Sequence, residues 1–294
     1  MTGVAHSPTI LFGLGATKAG TSWLHAYLEG HPEVAMPAVK ELHYFDAKFF
    51  RDEARQIARL ERERERLLAR AERADVAGRI ATERQIDQVE RLARMISART
   101  NDPGYADFLV ECAGSAHVVG DITPAYGLLP PRLLRRMQRL RDQVRFVYLL
   151  RDPLDRLWSH VRMMGQRLTK TGADTSMKTF AVFDLWAEGG EAPVAVRSDY
   201  VGAIDRMRRA LAPENLKVIF YERLFTAEAI ADLCAFLGIT NHPADFARRV
   251  NAGAPLALDP VRQARARALL MPQYDYVARQ IGDLPPRWRE NMGE

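Results

Sequence analysis

Thr9-Ile10-Leu11-Phe12-Gly13-Leu14-Gly15-Ala16-Thr17-Lys18-Ala19-Gly20-Thr21-Ser22-Trp23-Leu24 decides how this chain is read, because a short apolar run passes abruptly into glycines, a lysine and two hydroxyls. The run at 10–14 has the length of a buried strand, and the apolar residues at helical spacing from Thr21 to Leu28 predict a helix. The loop between them therefore falls at a helix N-terminus, where backbone N–H groups and the positive end of the helix dipole favour an anion. Small residues at Ala19 and Gly20 let such a group approach the backbone, Lys18 adds a compact charge, and Thr21 and Ser22 add hydroxyl donors. A cradle for phosphate or sulfate is one reading of the stretch; an ordinary tight strand-to-helix connection is the other.

Residue order separates the loop from two common nucleotide motifs. A nucleoside-triphosphate P-loop needs Gly-Lys-Ser/Thr after four free positions, whereas here the lysine precedes the glycine. Gly13-x-Gly15 also lacks the third glycine and the ribose-binding acid of a dinucleotide fold. The stretch Thr17–Leu24 instead resembles the 5′-phosphosulfate loop of sulfotransferases that use 3′-phosphoadenosine 5′-phosphosulfate (PAPS). The resemblance implies that Thr17, Lys18, Ala19, Gly20, Thr21 and Ser22 bind PAPS, with Lys18 also acting in catalysis.

A second cluster, Lys40-Glu41-Leu42-His43-Tyr44-Phe45-Asp46, follows a short predicted strand at 34–36. The carboxyl end of a strand is where open α/β sheets place their sites. The cluster resembles the Lys-Glu-x-x-x-Phe segment of heparan sulfate-type carbohydrate sulfotransferases. That likeness implies Glu41 as general base, with His43 in reserve and Lys40 beside the acceptor. The competing reading puts Glu41 and His43 on the exposed face of a strand that buries Leu42 and Tyr44.

A third stretch, Val144–Leu150, reads as a central buried strand, followed by Arg151-Asp152-Pro153-Leu154-Asp155-Arg156-Leu157-Trp158-Ser159-His160. Pro153 suits the first position of a helix and Asp152 its cap. This order resembles the site by which sulfotransferases hold the 3′-phosphate of PAPS, through Arg151 and Ser159. Two separated motifs in the family's order are far more specific than either alone.

Further likenesses are shorter. Gly120-Asp121-Ile122-Thr123-Pro124-Ala125-Tyr126 is similar to a Gly-Glu-x-Thr/Ser-Pro-x-Tyr segment beside the acceptor, which implies substrate contacts for Asp121 and Tyr126. Ile122 stands where heparan-type members often have lysine, which weakens the case for a highly sulfated acceptor. Thr123-Pro124 could equally start the helix expected from Pro131. Tyr200 opens another predicted helix and, by the same resemblance, lies near the nucleotide. Tyr221-Glu222-Arg223-Leu224 resembles the family's Tyr-Glu-Asp-Leu. The polar stretches Lys170–Asp174 and Gly189–Pro193 are candidates to cover the acceptor or simply surface loops. No basic-glycine loop that closes over PAPS is evident beyond Arg248-Arg249-Val250-Asn251. Trp288 is expected to pin the tail by packing.

Residues 48 to about 100 are rich in strong helix formers, with acids and bases at three- and four-residue spacing, as in Glu61-Arg62-Glu63-Arg64-Glu65-Arg66. They predict an inserted pair of antiparallel helices broken at Gly78. This hairpin either shapes the acceptor entrance or a homodimer contact, or is solvated and remote from substrate. Its alternating charges do not form a nucleic-acid stripe.

Composition bounds the rest. The chain has 294 residues, 47% of them hydrophobic, and its 42 Lys plus Arg against 37 Asp plus Glu leave a net charge of +5. That is enough chain for a large α/β core. Cys112 and Cys234 show neither a disulfide framework nor metal-ligand spacing, which points to a reducing compartment. No run approaches the roughly 18 apolar residues of a membrane span, and no secretory signal opens the chain. The expectation is a cytoplasmic protein, either bacterial in type or trimmed of the anchor that Golgi sulfotransferases carry.

Together these features predict an α/β, P-loop-like three-layer fold, with a central mainly parallel sheet flanked by helices, as a single domain over 1–294 carrying the hairpin. The resemblance implies PAPS as co-substrate, no metal, and an acceptor hydroxyl on a carbohydrate, lipid or small alcohol. A nucleotide kinase or NTPase with a degenerate loop, and a nucleotide-binding scaffold without catalysis, are the rival readings.

Overall fold

The computed structural model describes residues 7–169, 173–248 and 256–293. Its centre is a five-stranded sheet, and every paired strand runs parallel. The chain enters through β1 (Thr9–Gly13) and α1 (Thr21–Glu29), then passes β2 (Val34–Ala35) and α2 (Tyr44–Phe50). Three further helices follow, α3 (Glu53–Ala71), α4 (Val76–Ser97) and α5 (Asp102–Ala113), before β3 (Val118–Ile122). A short 3-10 turn at Pro124–Leu128 leads to α6 (Pro131–Gln138), β4 (Val144–Leu150) and α7 (Pro153–Leu168). Then come α8 (Ser176–Ala187), α9 (Ala192–Ser198), α10 (Tyr200–Arg208) and β5 (Leu216–Phe220). The chain closes with α11 (Ala227–Leu237), α12 (Pro260–Gln280) and α13 (Pro286–Met292).

The strand order is β2-β3-β1-β4-β5. From β1 the chain moves out to β2 and returns through β3, then crosses to β4 and β5 on the other side. Connections leave the carboxyl ends of β1 and β4 in opposite directions, and such a reversal opens a crevice where α/β proteins bind ligands. Apart from Thr9 and Arg145, β1 and β4 are apolar, and they are almost wholly buried, as strands of a parallel sheet covered by helices must be. The buried apolar cluster runs without a break from Ile10 to Trp288 and includes Leu60, Leu67, Val89, Leu92 and Ile96 of the inserted helices.

Several boundaries differ from the sequence expectation. The two inserted helices meet at Glu72–Asp75 rather than at Gly78, because Asp75 accepts a hydrogen bond from the Gly78 N–H at 2.8 Å and caps α4. Thr123-Pro124 opens the 3-10 turn and not a long helix. The competing reading of Lys40–Asp46 as a strand does not hold, and the cluster follows a strand as expected: residues 40–43 are an irregular loop after β2, and Tyr44 begins α2. Among the described residues no helix is long and apolar enough to cross a membrane.

Candidate active site

The loop after β1 continues the ladder between β1 and β4. Leu14 and Ala16 donate to the carbonyls of Val147 and Leu149, each at 2.9 Å, and Leu149 donates back to Gly15 at 2.7 Å. These bonds fix the backbone of the loop up to Ala16. Lys18 sits at φ 70°, in a region that side chains rarely visit, and Gly20 at φ 91° is the N-cap of α1. Gly20 is required twice over, since a Cβ there would also fall 2.7 Å from the Tyr221 ring. No side chain caps α1, so its first turn faces the loop with the donor character expected of an anion site. Thr17, Lys18 and Ser22 are partly exposed around this turn, while Ala19 and Thr21 are buried beneath it.

Arg151 arrives from the end of β4. Its guanidinium donates to the Lys18 carbonyl at 3.0 Å and lies 4.8 Å over the Tyr221 ring. Burial lowers the Lys18 pKa, and its principal charged neighbours, Arg151, Arg162, Arg167 and Lys40, lower it further. Burial and Arg151 likewise lower Arg162. Burial, then Arg156, Arg197 and Lys18, push His160 down to about 3, so it is neutral at physiological pH. Like charges gathered at a loop of this shape set up a positive field that suits an anion. Ser159 is half-buried on α7, one turn before Arg162. Arg162 and Arg167 were not singled out from sequence; the available signal was their place on the helix that Arg151 precedes.

The Glu41 loop meets the same spot. Lys40 Nζ donates to Ser22 Oγ on the first turn of α1. Glu41 and His43 both have left-handed backbones, at φ 64° and 55°. Their side chains approach at 3.4 Å, Oε2 to Nε2, and His43 Nδ1 lies 2.8 Å from Asp46 Oδ2. Lys40 Nζ is 3.7 Å from the other Glu41 oxygen. Burial disfavours the charge on His43, but hydrogen bonds to Asp46 and Glu41 outweigh it and raise its pKa to about 9. Burial also opposes ionisation of Glu41, yet His43, Lys40 and Arg59 together hold its pKa below the usual carboxylate value. At neutral pH the pair is thus a carboxylate beside an imidazolium. A protonated ring has no lone pair with which to take a proton, so in this state Glu41 is the basic member of the pair and His43 its partner.

Asp121 and Tyr126, expected beside the acceptor, are 1% and 0% exposed, and their polar groups are engaged inside the core. Asp121 accepts from Thr123 Oγ1 at 2.6 Å and from the hydroxyls of Tyr105 and Tyr126 at 2.7 Å each. Burial raises its pKa against these donors. The assembly supports the neighbouring loop: the Tyr44 N–H donates to Tyr126 at 3.1 Å and the Leu42 N–H reaches Asp121 at 3.4 Å.

Tyr200, expected at the nucleotide, is also fully buried. Its hydroxyl donates to the Arg151 carbonyl at 2.7 Å and accepts from the Arg151 N–H at 3.2 Å, which fixes that residue's backbone. Glu222 accepts from the Asp152 N–H at 2.8 Å and from Trp288 Nε1 at 3.0 Å. Asp152 caps α7 through Asp155 at 2.8 Å and accepts from Tyr274 at 2.8 Å and Asn291 at 2.9 Å. Of the expected loops, residues 170–172 and 249–251 lie outside the described residues.

The profile of the Sulfotransferase family matches residues 8–243, a span that holds all of these motifs. No curated protein matches the chain. Among solved structures, a sulfotransferase from Alicyclobacillus acidocaldarius superposes with a TM-score of 0.63 at 19% identity, covering 96% of this chain and 98% of that one. The sulfotransferase domain of the Synechococcus PCC 7002 olefin synthase does so with a TM-score of 0.51 at 17% identity, covering 97% and 99%. At such identities the superpositions establish a shared fold, the α/β arrangement with a parallel sheet flanked by helices. With the profile spanning most of its length, from β1 past the end of α11, this chain belongs to the sulfotransferase family.

Proposed function

We propose that the protein transfers a sulfuryl group from PAPS to the hydroxyl of a carbohydrate or another alcohol. The observation that carries this reading is the contact of Arg151 with the Lys18 carbonyl, which unites two cationic motifs from neighbouring strands at one crevice. A nucleotide with phosphate groups at both ends of its ribose suits such a divided set of cations. In this reading Lys18 and the first turn of α1 hold the 5′-phosphosulfate, and Arg151, with Ser159 and Arg162 along α7, holds the 3′-phosphate.

PAPS supplies the electrophilic sulfur: the acceptor oxygen bonds to it as the bond to the 5′-phosphate oxygen breaks, and the electron pair leaves with the phosphate. Lys18 and the loop amides offset that developing charge, the kind of fixed electrostatic stabilisation that lowers a barrier most. Glu41, ionised at neutral pH, accepts the acceptor's proton. His43 holds the Glu41 carboxylate rather than competing for that proton. Asp46 in turn keeps His43 charged.

Calorimetry with 3′-phosphoadenosine 5′-phosphate (PAP) beside ADP tests the donor, and labelled PAPS with a panel of alcohols tests the transfer. Tight, magnesium-independent binding of PAP and much weaker binding of ADP is the expected result. Equal affinity for the two, or a need for magnesium, would favour a kinase or NTPase instead.

A further inference from the structure

At the start of α3, where it meets the Glu41 loop, the N-cap Asp52 and the helical Gln56 and Arg59 follow one another at helical spacing. Gln56, only 5% exposed, donates to Asp52 Oδ2 at 2.8 Å and accepts from Arg59 Nε at 3.1 Å. The guanidinium fixed in this way donates to the Lys40 carbonyl at 3.1 Å and to the Glu41 carbonyl at 2.6 Å. From the other side, Asp121 and Tyr126 take the N–H groups of Leu42 and Tyr44. The loop is therefore gripped by its carbonyls from the inserted hairpin and by its amides from the end of β3 and the 3-10 turn after it. Non-glycine residues keep left-handed backbones only where their surroundings over-determine them, and Glu41 and His43 are both in that state.

We infer that Arg59 is a positioning residue: the inserted hairpin delivers its planar fork onto two successive carbonyls, which holds the Glu41 backbone left-handed and its carboxylate against His43. The hairpin is then a working part of the site, and not an appendage to the sheet. A lysine cannot substitute, because a single ammonium lacks the rigid pair of donors that bridges two fixed acceptors. The kinetic arm of the test rests on the reading of Glu41 as proton acceptor; the geometric arm does not.

The geometric arm is the titration of His43 followed by NMR, its signals assigned by their loss in His43→Gln. The charged groups acting on this ring are Glu41 and Asp46, which raise its pKa, and Arg59, which lowers it; Lys40 and Arg197 are further cations acting on its carboxylate neighbours. If Arg59 positions the loop, Arg59→Lys and Arg59→Met free Glu41 from His43, and His43 titrates at lower pH than in the parent. If Arg59 acts only as a nearby cation, Arg59→Met moves the titration to higher pH and Arg59→Lys leaves it in place.

In parallel, kcat falls by about 10- to 100-fold in both variants, as small misplacements of a reacting group do, while PAP affinity holds. A rise in the His43 pKa, or no change with kcat intact, overturns the inference. Should Arg59→Met fail to fold, as judged by PAP binding and thermal melting, Arg59→Lys carries the test. If the parent protein binds no PAP and transfers no sulfuryl group, the proposed reaction falls, and the NMR result still decides the role of Arg59.

Discussion

The guanidinium of Arg151 rests on the carbonyl of Lys18, 3.0 Å away, although 133 positions separate the two residues in the chain. The contact follows from β1 and β4 being neighbours, because the residues that follow their carboxyl ends must then share one crevice. Tyr221 carries the Arg151 plane from beneath, and Tyr200 fixes its backbone.

Replacing Arg151 with alanine removes a fork suited to phosphate and leaves the strands intact. A charge-assisted hydrogen bond contributes about 1.5–3 kcal/mol, so PAP affinity should fall by about 10- to 100-fold. ADP, which lacks the 3′-phosphate, should lose far less. Calorimetry of both ligands on both proteins checks this, and an equal loss for the two would place Arg151 elsewhere on the nucleotide.

Glu41→Gln keeps the size of the side chain and removes its basicity. A positioned general base accounts for about 10²- to 10⁴-fold in rate, and kcat should fall within that range while PAP affinity stays at the parent value. Unchanged turnover would assign the proton to another acceptor.

The charge on His43 ties stability to pH. Its pKa is raised from 6.5 to about 9, so the folded state binds this proton more tightly than the unfolded chain does. The resulting stabilisation is fully present below about pH 6.5 and is lost as the pH rises through about 9. Its size is on the order of 3 kcal/mol, from the linkage between a pKa shift and stability. The stability gap between the parent and His43→Gln should therefore narrow between pH 6 and pH 9.5 in denaturation experiments. A gap that stays constant would mean that His43 is not held as a cation.

Gly20→Ala should destabilise the protein and weaken PAP binding together. The left-handed backbone alone costs an alanine about 1–2 kcal/mol, and the new methyl group collides with the Tyr221 ring that supports Arg151. Adding Tyr221→Ala should return the collision's share of the stability loss and leave the backbone share. A double-mutant cycle read by chemical denaturation separates the two.

Trp288→Ala should cost about 3–5 kcal/mol, the usual range for emptying a large aromatic site in a core. The indole is fully buried and its Nε1 donates to Glu222, so the variant also slackens the Asp152 N–H that Glu222 holds. A loss under 1 kcal/mol in denaturant melts would make Trp288 peripheral.

Much of this was legible in the chain before any coordinates. The apolar run before Lys18 and the run Val144–Leu150 announced the two strands that frame the crevice, since a strand buried on both faces must be apolar throughout. Asp152 and Pro153 announced the start of α7. What stayed hidden was tertiary. Nothing local to Asp121 or Tyr126 says that their polar groups face each other inside the core. Tyr200 likewise gives no hint that its hydroxyl serves a backbone 49 positions earlier. The Glu41 loop left two readings open because Glu41-x-His43 alternates like a strand, whereas the chain coils through left-handed backbones held by contacts from α3, from β3 and from the turn after it. Arg59 was one arginine among many in the hairpin, and its role depends on which carbonyls the fold brings to it.

Asn291 and Trp288 reach back to Asp152 and to its partner Glu222, and the Asn291 link spans 139 positions. The crevice is therefore braced by a helix that contributes none of its motifs. A cut in the backbone ahead of α13 would leave Lys18, Glu41 and Arg151 in place and remove the contacts that steady Asp152 beside Arg151, so α13 works as a remote latch on the grip.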